Sequence, residues 1–277
     1  MTIIFFGSFQ KYSVQVLEKL TNNFSVTAVI TTPPKPAGRH MELKPTEVAL
    51  YARSNKLPLY ELYELSTIPD IPRPDFIVVA GYGRLIPPLW LEFPKIMAVN
   101  MHPSLLPQYR GAFPAEWAIL NMEKETGVTL VKMSAEFDKG DIIAQKKFVI
   151  EPSDTRETLY KKLYDMGAKL LVDTLPAKIT PRPQASGDFF YARRLTRDDG
   201  FVPWEEFTKD ISKLERKLRA LTPWPGVWTR LPAPERSDGG QAKTPQGKRL
   251  KLLSLNPPTV QLEGKKPSLL TDLSHLS

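Results

Sequence analysis

The chain has 277 residues, 42% of them hydrophobic and 25% charged, which allows a sizeable buried core and excludes disorder throughout. It holds no cysteine and three histidines. Disulfides, thiolate metal sites and a cysteine nucleophile are excluded, and a histidine-built zinc site is disfavoured, so no metal is expected. The net charge of +8 is gathered late, with 13 basic against 8 acidic side chains in residues 201–277. Such a balance suits a polyanionic partner or a solvated, lysine-rich surface, and charge alone favours the surface.

Thr2 to Phe6 reads as a buried strand, since it is apolar but has neither a basic leader nor a small-residue cleavage site. No apolar run approaches the roughly 20 residues needed to span a membrane, so a cytoplasmic protein is expected. Ser13 to Leu20 has helical spacing, Val26 to Thr31 reads as a second strand, and the prolines at 33, 34 and 36 exclude helix or sheet interior. Phe76 to Ala80 and Ile96 to Met101 are continuous apolar runs, the pattern of parallel strands buried on both faces. Thr46 to Ser54 reads as a helix among them. Gly127 to Met133 and Ile142 to Ile150 read as further strands, and Thr155 to Leu175 as a long helix. The alternation predicts an α/β domain with a mostly parallel, Rossmann-like sheet. The Pro-, Ser- and Gly-containing stretch from Pro176 to Gly187 reads as a connector. Beyond it, Glu205 to Leu221 has the spacing of one amphipathic helix, and Val227 to Leu231, Arg249 to Leu255 and Thr259 to Leu262 read as strands of a small β-rich domain. The expected division is a domain over 1–180, a linker over 181–200 and a second domain over 201–277.

Asn100 and His102 stand two apart at the end of a predicted strand, so their side chains project to the same side. Open α/β sheets place their ligand crevice at such carboxyl ends. An amide donor beside an imidazole can hold an oxygen that becomes negative during acyl transfer. Asp138, in Phe137-Asp138-Lys139-Gly140-Asp141, is a candidate to orient the histidine. Taken by spacing alone, both motifs read more simply as turn chemistry.

The run Asn100-Met101-His102-Pro103-Ser104-Leu105-Leu106-Pro107 with Gln108-Tyr109-Arg110-Gly111, followed by Phe137-Asp138-Lys139-Gly140-Asp141-Ile142, resembles the two signatures of the folate-dependent formyltransferases. Pro36-Ala37-Gly38-Arg39, Glu125-Thr126-Gly127-Val128-Thr129 and Ala220-Leu221-Thr222-Pro223-Trp224-Pro225-Gly226 are similar to the branch of that family whose acceptor is methionyl-tRNA. The resemblance covers residues 1 to about 230.

It implies a catalytic domain followed by a smaller OB-like barrel that binds tRNA, shortened here. It also implies a direct transfer of formyl from 10-formyltetrahydrofolate to the amine of initiator methionyl-tRNA, without a covalent enzyme intermediate. Carried over residue by residue, Asn100, His102 and Asp138 form the catalytic trio. Ser104, Leu105, Leu106 and Pro107, with the backbone near Arg84, Leu85 and Ile86, correspond to the folate site. Arg39 corresponds to the tRNA-reading arginine, and Lys209, Lys213 and Arg216 are candidates for phosphate contact. A monomer without membrane association is expected. The competing readings are transfer to an amino sugar nucleotide, against which the Pro-Ala-Gly-Arg loop argues, and a non-catalytic RNA-binding relative, against which the intact trio argues. A dinucleotide dehydrogenase is disfavoured, because no G-x-G-x-x-G follows the first strand.

Overall fold

A computed structural model of the protein describes residues 1–37, 41–232 and 247–269. It forms two compact units. One comprises Met1–Ala115, Lys124–Ile150 and Glu157–Arg193; the other comprises Glu116–Glu123, Glu151–Arg156 and the chain from Arg194 onward.

In chain order the first part of the molecule runs β1 (Thr2–Phe6), α1 (Gln10–Thr21), β2 (Ser25–Thr31), β3 (Lys35–Ala37), β4 (Glu42–Lys44), α2 (Glu47–Ser54), β5 (Leu59–Glu61), β6 (Phe76–Val79), α3 (Pro88–Leu91), β7 (Met97–His102), β8 (Arg110–Gly111), α4 (Pro114–Leu120), β9 (Glu125–Lys132), β10 (Ile142–Val149), α5 (Arg156–Thr174) and β11 (Tyr191–Ala192). Seven strands form one sheet in the order β10-β9-β7-β6-β1-β2-β5. The five strands from β7 to β5 are parallel, and β9 and β10 close one edge antiparallel.

Both side-chain parities of the central strands are buried: Ile4, Phe6, Ile77 and Val79 on one face, Ile3, Phe5, Phe76 and Val78 on the other. That is why these strands read as continuous apolar runs rather than alternating ones. The first face packs with Ile30, Trp90 and Tyr82 into a core cluster. Helix α5 lies close against β7, because a Cβ at Gly167 would stand 2.3 Å from the Met101 sulfur. The proline-rich stretch after β2 contributes β3, paired with β4 in a two-stranded ribbon where both strands are edges, which tolerates Pro36. Of the stretch expected as a linker, the part through Arg193 belongs to the first unit. Arg182 bridges Ile142 there, and β11 pairs parallel with β8.

The second unit adds α6 (Trp204–Phe207), α7 (Ile211–Leu221), β12 (Val227–Arg230), β13 (Arg249–Leu255), β14 (Pro258–Leu262) and β15 (Ser268–Leu269). The four strands form an antiparallel sheet in sequence order over a core of Val202, Phe207, Leu214, Val227, Leu250, Leu252, Val260 and Leu262. The single helix expected over Glu205 to Leu221 is two helices. Asp210 is the reason: its carboxylate accepts the backbone N–H of Lys213 at 2.9 Å and so starts α7 afresh. Ile211, whose spacing from Phe207, Leu214 and Leu218 fits the apolar face of such a helix, is instead exposed.

Candidate active site

The site forms at the carboxyl end of β7. Within the sheet Asn100 pairs in register with Val79 of β6 and Val131 of β9, and His102 with Thr129 of β9. The structure brings Asn100, His102 and Asp138 together. Asp138 sits in the turn between β9 and β10 with φ at +54°. Its Oδ1 accepts a hydrogen bond from Asn100 Nδ2 at 3.2 Å and lies 3.5 Å from His102 Nδ1. Its Oδ2 accepts the Gly111 backbone N–H at 3.0 Å. The carboxylate is therefore the hub, touched by Asn100 and His102 of β7 and by Gly111 of β8.

His102 is 4% exposed, and its Nε2 stands 2.9 Å from the Tyr109 carbonyl oxygen. A carbonyl can only accept, so Nε2 carries a hydrogen. Nδ1 faces a carboxylate oxygen, which also only accepts.

The chain leaving β7 is fixed by a second buried hub. Thr129 Oγ1 donates to the Ser104 carbonyl at 2.7 Å and accepts the Leu106 N–H at 3.0 Å and a Gln145 Nε2 hydrogen at 2.9 Å. Gln145 Nε2 also reaches the Leu106 carbonyl at 2.7 Å. Ser104 is fully buried, and its hydroxyl donates to the Gln108 carbonyl at 2.7 Å. Leu106 packs with Val131 and Ile142, while Leu105 and Pro107 are half-buried.

The other stretch assigned to folate follows β6, the strand beside β7. Its backbone is tied to the segment after β1: Ser13 Oγ donates to the Ala80 carbonyl at 2.6 Å and Ser8 Oγ to the Tyr82 carbonyl at 2.8 Å. Burial among Phe6 and its neighbours holds the Tyr82 hydroxyl above its ordinary pKa. Arg84 lies over the Tyr63 ring at 5.4 Å, Leu85 is exposed and Ile86 is buried in the core. The side chain of Ile86 is thus committed to packing, which leaves its backbone to line a site.

Arg39 lies outside the described residues. Lys209 is exposed. Lys213 forms an ion pair with Glu206, and the Arg216 guanidinium donates to the Met122 sulfur. Lys213 is therefore partly neutralised within its own unit. Among the described residues no group of three or more His, Asp or Glu side chains could hold a metal, and no helix is long and apolar enough to cross a membrane.

Sequence reasoning missed the Tyr109 carbonyl and the pairing of Thr129 with Gln145. A backbone acceptor leaves no residue signature. Thr129 stands between the apolar Val128 and Leu130 on β9, and a buried hydroxyl there, opposite His102 and Gln145, was a hint to its role.

Residues 1–175 match the formyl transferase family, and residues 194–275 match the formyl transferase C-terminal domain. The chain belongs to the formyl transferase family. It is 38% identical over 240 residues to the methionyl-tRNA formyltransferase of Listeria monocytogenes serotype 4a (strain HCC23), covering 83% of this chain and 76% of that one. It is 37% identical, over 83% and 75% of the two chains, to the methionyl-tRNA formyltransferase of Dictyoglomus thermophilum. Among solved structures, HypX from Aquifex aeolicus in complex with tetrahydrofolic acid shares the fold with a TM-score of 0.61, at 20% identity over 91% of this chain and 37% of that one. An N-formyltransferase from Helicobacter canadensis shares it with a TM-score of 0.58, at 23% identity over 79% of each chain. All three members of the trio fall inside the matched formyl transferase region, and strands β12 to β15 of the antiparallel sheet fall inside the C-terminal match.

Proposed function

We propose that this chain transfers the formyl group of 10-formyltetrahydrofolate to the α-amino group of methionyl-tRNA, acting as a cytoplasmic monomer and preferring the initiator tRNA. The observation that carries the reading is the Asp138 hub: one carboxylate holding an amide donor, an imidazole and a backbone amide at the carboxyl end of a parallel strand. Relatives named methionyl-tRNA formyltransferase, aligned over most of both chains, supply the acceptor. Tetrahydrofolic acid bound to a protein of this fold agrees with the cosubstrate.

The amine attacks the formyl carbon as the free base, and the carbonyl oxygen takes up negative charge. Asn100 Nδ2 carries a second hydrogen that Asp138 does not use, and this hydrogen together with the protonated His102 ring stabilises the oxyanion. Asp138 orients the His102 ring. As the tetrahedral intermediate collapses, the C–N bond to the folate breaks, the attacking nitrogen gives up a proton and the folate nitrogen gains one. His102 and Asp138 relay that proton, with general acid–base help worth about 10²–10⁴ in rate. Ser104 to Pro107, and the backbone from Arg84 to Ile86, hold the folate. Arg39, Lys209, Lys213 and Arg216 contact the tRNA.

The test offers the protein 10-formyltetrahydrofolate with initiator methionyl-tRNA, elongator methionyl-tRNA and an amino sugar nucleotide in parallel. Formylation of the initiator methionyl-tRNA in excess over the others is expected. Formylation of the sugar alone would overturn the acceptor and leave the trio standing.

A further inference from the structure

The turn that presents Asp138 is strained and has to be held. Asp138 adopts a left-handed backbone, at φ +54°, which costs a side-chain-bearing residue free energy. Two residues on, a Cβ at Gly140 would stand 1.7 Å from the Lys132 carbonyl oxygen, so the turn is pressed against the end of β9. Left to itself, a chain here relaxes toward negative φ and swings the Asp138 carboxylate off its three partners.

Gln184 sits on the other side of this turn, 46 residues along the chain from Asp138. Its Nε2 donates to the Asp138 carbonyl and to the Gly140 carbonyl, both at 2.7 Å. Its Oε1 accepts two hydrogen bonds from the Arg110 guanidinium, at 2.6 Å and 3.1 Å. The amide orientation is determined by chemistry: carbonyls only accept and a guanidinium only donates, so the NH₂ must face the turn and the oxygen must face Arg110. Both amide hydrogens and both lone pairs are then used. Arg110 in turn precedes Gly111, whose N–H grips the Asp138 carboxylate. The same strap holds the histidine's other partner, since the Tyr109 N–H donates to the Phe190 carbonyl at 2.8 Å and the Ala112 N–H to the Ala192 carbonyl at 2.8 Å. Gln184 lies between the two stretches that match the family, 1–175 and 194–275.

We propose that Gln184 is a positioning residue for the reaction, clamping the left-handed Asp138 turn through the carbonyls of Asp138 and Gly140 so that the Asp138 carboxylate stays on Asn100, His102 and the Gly111 amide. The inference rests on the reading that Asp138 serves formyl transfer. Gln184 touches no reacting atom and acts through Asp138 alone. Displacing a catalytic group by about 1 Å can cost about 100-fold in rate.

The test compares wild type, Gln184→Met, Gln184→Glu, Asp138→Asn and the double variant Gln184→Met/Asp138→Asn. Met keeps the length and removes the clamp. Glu keeps the Arg110 contact and removes the donors. Two readouts are taken: formyl transfer from 10-formyltetrahydrofolate to methionyl-tRNA, and amide hydrogen exchange at Gly111. Both single Gln184 variants should lower kcat about 10- to 100-fold with KM for the formyl donor changed less than about threefold. In the Asp138→Asn background, Gln184→Met should cost less than about twofold, because a residue acting through Asp138 has nothing left to act on. The Gly111 amide should lose exchange protection in both Gln184 variants. Near-normal kcat, an undiminished penalty in the Asp138→Asn background, or a Gly111 amide as protected as in wild type would each overturn the clamp. If the wild-type chain formylates no methionyl-tRNA, the functional reading fails on its own, and the Gly111 exchange still decides whether Gln184 holds Asp138.

Discussion

Thr129→Val tests whether the buried hub beneath the folate-assigned stretch is as structural as its geometry indicates. Valine has nearly the shape of threonine, so the cavity is unchanged and only hydrogen bonds are lost. The Ser104 carbonyl loses its donor at 2.7 Å, and the Leu106 N–H loses its acceptor at 3.0 Å, in a position where Thr129 itself is fully buried. Gln145 Nε2 keeps the Leu106 carbonyl and is spared. A buried polar group left unpaired costs about 1–3 kcal/mol, so the two together destabilise the first unit by about 2–6 kcal/mol. Chemical denaturation followed by a probe in the first unit reads that loss, and KM for 10-formyltetrahydrofolate should rise in the same variant as the Ser104 to Pro107 backbone loosens. A loss below 1 kcal/mol with KM unchanged would refute the argument, since it would mean that Ser104 to Leu106 are fixed without Thr129.

Asn100→Ala should fold normally and lower kcat by about 10²–10³-fold, the usual effect of removing one oxyanion donor, and steady-state kinetics beside a thermal melt separate the two. Gly140→Ala should shift the Asp138 turn, because its Cβ would stand 1.7 Å from the Lys132 carbonyl; kcat falls, and a crystal structure of the variant should show the turn displaced from β9. Asp75 accepts the Thr2 backbone N–H at 2.7 Å, and this bond, then Lys95 and the Thr2 hydroxyl, hold its carboxyl below the ordinary range. A depressed folded pKa stabilises above the unfolded value and fades as pH falls through the folded one, so Asp75→Asn should lower the melting temperature at pH 7 and converge on wild type in acid. An offset that does not shrink as the pH is lowered through and below the ordinary carboxylate range would contradict that assignment. Binding of methionyl-tRNA should weaken steeply with salt, given the +8 net charge, as read by filter binding across a salt series.

Much of this architecture could be read from the chain itself. The doubly buried strands announced themselves as unbroken apolar runs, because a parallel sheet covered on both faces has no polar side to alternate with. Asn100 and His102 were legible as a pair because strand geometry fixes side chains two apart on one face. Asp138 was legible only in combination, through a turn motif set at the family's spacing from His102. The break between α6 and α7 was hidden because Ile211 continues the apolar spacing across it, whereas Asp210 ends that continuity with a cap that spacing cannot register. Gln184 was invisible for a different reason. It lies in a proline-containing stretch that composition marks as a connector, and its role comes from meeting Arg110 and the Asp138 turn in space.

The central claim is that one carboxylate, Asp138, organises an amide and an imidazole for formyl transfer. The most direct test is the single-turnover rate of formyl transfer from 10-formyltetrahydrofolate to initiator methionyl-tRNA in wild type, His102→Ala and Asp138→Asn. Formyl-methionyl-tRNA should form with wild type, and both variants should be slower by at least about 10²-fold while melting as cooperatively as wild type. Transfer at near wild-type rates in either variant would contradict the account.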